Sequence, residues 1–166
     1  MSVVAPSPSS SPPASPAPGN PAKLGPDTLT VAAAALLSVR RAALVLVRYP
    51  MRGGAEVEQQ ARLEAELAAR GAALRRVRFL PLVPTGPHLR RSGLADLHLD
   101  TLPYNAHSTA VDCTYTAVPH LTLPGEQMAA RLAAALLRAA GVLHTTHATL
   151  RELEGSARQL LTGGAW

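Results

Sequence analysis

Apolar positions along this chain alternate between two spacings. Ala43–Val47, Val77–Leu82, Ala95–Asp100 and His120–Leu123 are short apolar runs of strand length, bounded by turn residues. Between and around them lie longer stretches whose apolar residues recur three and four positions apart: Leu29–Arg41, Val57–Arg70, Ser108–Ala117, Glu126–Ala140 and Thr149–Leu161. Pro26-Asp27-Thr28 opens the first helix, because proline is tolerated in a first turn. Met51–Gly54 predicts a turn, Gly71 and Gly141 predict helix stops, and Pro87–Gly93 predicts a short basic helix. Strands alternating with helices of this length predict an α/β fold, a parallel sheet covered on both faces.

The first residues, MSVVAPSPSSSPPASPAPGNPA, break this regularity. They hold Pro, Ser and Ala and no charged side chain, too little apolar surface to offset the entropy of ordering. A disordered tail is expected over residues 1–22 and one domain over 23–166. At 166 residues and 47% hydrophobic content, the chain can bury one sizeable core.

The formal net charge of +5 suits an anionic partner. Aromatics make up only 3% and the arginines are dispersed, which argues against a nucleic-acid stacking platform. The longest apolar run, Val31–Leu37, is far short of the roughly 20 residues that span a membrane. Cys113 is the only cysteine, so no internal disulfide forms, as suits a reducing compartment.

In a parallel sheet, ligands bind beyond the carboxyl ends of the strands. Three groups fall there: Pro84–Arg91, Asp100–Asp112 and Pro124–Glu126. His107, Ser108 and Thr109 stand at a helix start, where either hydroxyl could simply cap the helix. Together they also offer amides, a helix dipole and an imidazole to a diphosphate. Asp112 lies one turn along from Ser108, either solvated or placed to accept ribose hydroxyls. His88, with Arg90 and Arg91, reads as a basic helix end or as a nucleobase contact. His98 sits inside a strand and reads as packed. His120, His144 and His147 have no ligand-like spacing with a cysteine, so no metal site is expected. Glu126 reads as a helix cap or a sugar contact.

The stretch RFLPLVPTGPHLRRSGLADLHLDTLPYNAHSTAVDCTYTAVPHLTLPGEQMAARLA resembles the C-terminal catalytic half of the protein O-linked N-acetylglucosamine transferases. Its landmarks are PHLRR, LADLHLDT, NAHST with the following Asp, and TLPGE; the similarity runs from near Lys23 to about Leu161. The resemblance implies the Rossmann-like C-terminal half of a B-type glycosyltransferase that binds UDP-N-acetylglucosamine, with no cofactor, and transfers the sugar to Ser or Thr of intracellular proteins in cytoplasm or nucleus. It implies that His107, Ser108 and Thr109 contact the diphosphate and Asp112 the ribose. It further implies that His88, Arg91 and a main-chain group of Val83 meet the uracil, and that Lys23 with His107 stabilises the departing diphosphate.

Departures accompany the resemblance. Thr85 stands where the family has a lysine, and Ala106 and Ala110 where it has glycines, whose methyl groups are expected to narrow the approach to the phosphates. A strand expected just before Lys23 is replaced by the Pro/Ser tract. The resemblance also implies an N-terminal Rossmann-like half and tetratricopeptide repeats that this chain lacks, so the isolated chain is expected to be incomplete and inactive. The alternatives are a non-catalytic nucleotide-binding or protein-interaction module, or a fragment of the related SPINDLY-type protein fucosyltransferases that use GDP-fucose. Asn105-Ala106-His107 and Pro124-Gly125-Glu126 favour the N-acetylglucosamine branch.

Overall fold

The computed structural model describes residues 1–4 and 23–163. Its elements follow the alternating pattern: β1 (Ser2–Val4), α1 (Pro26–Ser38), β2 (Ala43–Arg48), α2 (Ala55–Ala69), β3 (Val77–Pro81), α3 (Thr85–Ser92), β4 (Leu97–Leu99), α4 (Ser108–Tyr115), β5 (His120–Leu121), α5 (Leu132–Ala139) and α6 (Leu150–Leu161). The sheet order is β3-β2-β1-β4-β5. Four strands share one direction, as predicted, and β1 runs antiparallel to both of its neighbours.

That central strand corrects the expectation of a disordered tail at its first four residues. Ser2 pairs with Val45 on one side and His98 on the other, and the Leu99 amide donates to the Met1 carbonyl at 2.7 Å. A short apolar run becomes ordered here because both of its edges find strand partners, which removes the unpaired amides that an isolated segment would expose. The remainder of the expected tail, and the strand expected just before Lys23, fall in residues 5–22, outside the described residues.

Side chains alternate across the sheet. Val3, Leu44, Leu46, Leu97, Leu99 and Leu121 point into one apolar core with α1, α2 and α6, where Leu29, Leu36, Leu63, Leu67 and Leu153 are buried. The alanines of α1 allow its close packing on α6. The opposite face is more polar. Ser2 Oγ lies 2.8 Å from His98 Nδ1, and the His98 and His120 rings meet edge to face with centroids 6.5 Å apart.

The predicted stops at Gly71 and Gly141 both adopt positive φ, 82° and 75°, where a side chain would be strained. The expected helix over Glu126–Ala140 shortens to a 3-10 turn at Met128–Ala130 followed by α5. The reason is local: the Asn105 amide takes the Ala129 carbonyl at 3.0 Å and the Gly125 amide takes that of Ala130 at 2.8 Å. Those carbonyls hold the loops instead of extending the helix. No helix among the described residues is long and apolar enough to cross a membrane.

Candidate functional site

Beyond β4 the chain makes a tight loop whose organiser is Asp100, a buried carboxylate. It accepts the Thr101 amide at 2.8 Å, the Ala106 amide at 2.6 Å and the Thr122 hydroxyl at 2.5 Å. His120 lies 3.8 Å away on β5, within ion-pair range and beyond hydrogen-bond distance. Burial opposes the His120 charge, yet Asp100 and Cys113 override it and raise the imidazole to about 9. The loop is fastened a second time by Thr28 of α1, whose hydroxyl accepts the Leu102 amide at 2.8 Å. The α1 entrance, carrying Lys23, is thereby tied to the loop that carries His107.

Two groups of the expected site residues come together here. In the first, Lys23 Nζ sits 3.7 Å from the ring centroid of Tyr104 and 3.5 Å from the Asn105 carbonyl. Burial lowers the Lys23 ammonium and the Asp100 charge opposes that shift. The His107 imidazole stacks on the same tyrosine ring, with centroids 4.9 Å apart and planes 24° from parallel. His107 is the cap residue just before α4, and Ser108 and Thr109 lie in its first turn, so this corner faces the positive end of the helix.

In the second group, one turn along α4, Asp112 Oδ2 lies 3.7 Å from Nε2 of His88 on α3. The same nitrogen is 3.2 Å from the Ser92 hydroxyl. Burial, aided by Arg91 and opposed by Asp112, lowers His88, so the imidazole is neutral at neutral pH and the contact is polar rather than ionic. Arg91 donates through Nη1 to the Pro81 carbonyl at 2.9 Å, while its buried Nε and Nη2 have no hydrogen-bond partner among the described residues. Val83 is half-buried in the loop joining β3 to α3. Glu126 is exposed and lines a pocket together with Pro103, Tyr104 and Gly125. Among the described residues, no three of His, Cys, Asp and Glu gather to hold a metal ion.

Ala106 and Ala110, the two positions where the resemblance has glycines, are buried and pack with Ala133 of α5. Four residues of this region carried no structural role of their own in the sequence: Asp100, Asn105 and Tyr104, which lay inside a candidate group, and Tyr49, which lay outside all of them. Tyr49 follows β2, and its phenol is raised by burial and by the Asp112 charge against the opposing Arg91 charge. A signal existed, since the chain has only three tyrosines and two of them stand just past strand ends.

Comparison with known proteins adds four findings. The sequence profile of glycosyl transferase family 41 matches residues 20–163. The chain is 35% identical over 122 residues to the probable UDP-N-acetylglucosamine--peptide N-acetylglucosaminyltransferase SEC of Arabidopsis thaliana, covering 74% of this chain and 12% of that protein. Against the UDP-N-acetylglucosamine--peptide N-acetylglucosaminyltransferase of Caenorhabditis elegans, identity is 32% over 140 residues, 84% of this chain and 12% of the relative. A solved mutant of the Thermobaculum terrenum O-GlcNAc transferase superposes with a TM-score of 0.77 at 31% identity, covering 89% of this chain and 28% of that one.

Proposed function

The chain belongs to glycosyl transferase family 41, and from that premise we propose that it is the donor-binding half of a protein O-GlcNAc transferase. It takes UDP-N-acetylglucosamine and, complemented by an N-terminal half, delivers the sugar to Ser or Thr hydroxyls of acceptor proteins. The observation that carries this reading is the meeting of Lys23 and His107 on one tyrosine ring at the start of α4.

A diphosphate at that corner would receive the Ser108 and Thr109 hydroxyls, the first-turn amides of α4 and two groups able to meet negative charge. One turn on, Asp112 would accept the ribose hydroxyls. Beyond it the uracil would reach the neutral His88, the unpartnered donors of Arg91 and the main chain of Val83. In transfer, the acceptor hydroxyl oxygen bonds to C1 of the sugar from the side opposite UDP and gives its proton up to solvent water, while the bond from C1 to the phosphate oxygen breaks, with inversion. The electron pair moves to the β-phosphate, where the Lys23 ammonium, His107 and the helix start meet the growing charge without rearranging.

Calorimetric titration of the chain with UDP and UDP-N-acetylglucosamine tests this. Saturable binding that is lost in His107→Ala is expected. Absence of saturation at millimolar nucleotide would overturn the donor-site reading, and preference for GDP over UDP would move the chain to the fucosyl branch.

A further inference from the structure

Tyr104 is 43% exposed, so burial does not explain its place. Its main chain is held: the carbonyl accepts the Thr101 hydroxyl at 2.6 Å, and the next amide, of Asn105, donates to Ala129 at 3.0 Å. The ring therefore projects from a fixed base. Two partners use it, the Lys23 ammonium 3.7 Å from its centroid and the stacked His107 imidazole at 4.9 Å.

We propose that Tyr104 is a positioning residue of the donor site, whose ring seats the Lys23 ammonium and orients the His107 imidazole toward one diphosphate. This rests on the donor-site reading above. Lysine carries a compact charge on a flexible stem, and without a seat it samples many rotamers. A carboxylate would seat it but would cancel the charge that a phosphate needs. An aromatic face attracts the cation through its quadrupole and leaves that charge available. Stacking fixes the imidazole plane in the same way, while Nε2 of His107 lies 3.4 Å from the Ala129 carbonyl. Neither role needs the phenol hydroxyl. Phenylalanine should serve, and leucine, with similar bulk and no quadrupole, should not.

Two measurements on the full chain decide the matter. In the nucleotide-free protein, the His107 ring protons, assigned by their loss in His107→Gln, should move downfield in Tyr104→Leu as the shielding ring is removed and stay in place in Tyr104→Phe. The resonances of the buried His98 should not change, reporting an intact fold. UDP affinity should fall about five-fold in Tyr104→Leu and hold in Tyr104→Phe. Unmoved His107 resonances in Tyr104→Leu, unchanged UDP affinity, or failure of phenylalanine to substitute would overturn the proposal. If the unaltered chain does not bind UDP, the donor-site reading falls, and the His107 resonances alone still decide whether the ring orients the imidazole.

Discussion

The Asp100 carboxylate accepts the Ala106 amide at 2.6 Å and so sets where His107 caps the start of α4. The same carboxylate takes the Thr101 amide and the Thr122 hydroxyl, which links the end of β4 to the end of β5. A buried charge of this kind is costly unless donors surround it, and here three donors and the His120 imidazole do so. The functional loop is thus held at both of its ends by one side chain that touches none of the groups assigned to the nucleotide, with Thr28 fastening its middle.

Replacing that side chain tests the dependence. Asp100→Asn keeps the shape but presents one acceptor oxygen instead of two and turns an amide toward former donors. Destabilisation of about 2 kcal/mol or more is expected in urea unfolding, with UDP affinity reduced alongside it. An Asn variant with the parent's stability and affinity would show that the loop holds its shape by other means.

His120 and His98 make stability depend on pH with opposite signs. His120 is raised in the folded state to about 9, from the ordinary value near 6.5. Its contribution is therefore fully present below about pH 6.5 and disappears as pH rises through about 9, an effect on the order of a few kcal/mol. His98 is held well below the ordinary value by burial, with the nearby amino group of Met1 and His120 adding to the shift. The unfolded chain takes up that proton first, so the contribution of His98 is present above about pH 6.5 and is lost as pH falls. Stability from this pair should peak near pH 6.5. Urea midpoints across pH should show the alkaline limb flattened in His120→Gln and the acid limb flattened in His98→Gln.

The central strand makes a third expectation. Val3 is fully buried in the core, between β2 and β4. Val3→Ala should cost roughly 2 kcal/mol, and Val3→Asp should cost more because a charge enters an apolar layer. An unfolding midpoint unmoved by Val3→Asp would mean that residues 2–4 do not occupy the sheet centre.

What could be read in advance divides along the range of the interactions. The four parallel strands and the helices between them each carry their own periodicity, and α6 even declares its start through the reciprocal capping of Thr149 and Glu152. Ser2–Val4 has too few residues for any period, and its pairing partners lie in β2 and β4, far along the chain. The early part of the Glu126–Ala140 segment has helical spacing but loses its carbonyls to loop amides from residues 105 and 125. That His107 to Asp112 stand together was legible because one helix and its cap carry all of these residues. Tyr104 and Tyr49 were not, because their roles arise from what other segments bring to them: Lys23 and His107 for one, Arg91 and Asp112 for the other.

Asp112 offers the sharpest test of which part of the nucleotide lies where. Its carboxylate is only partly exposed, with 29% of the side chain accessible, and its contact with His88 is longer than a hydrogen bond. Both oxygens therefore retain acceptor capacity for a vicinal diol. Hydrogen bonds to a charged acceptor contribute about 1.5–3 kcal/mol, so Asp112→Ala should weaken UDP binding by roughly ten-fold or more. It should also remove a preference: the parent chain should bind UDP more tightly than 2′-deoxy-UDP, and the variant should bind the two alike. The fold should be unaffected, because the neutral His88 keeps its contact with the Ser92 hydroxyl. Loss of UDP affinity with the deoxy preference intact would place the ribose elsewhere and return Asp112 to a role in seating His88.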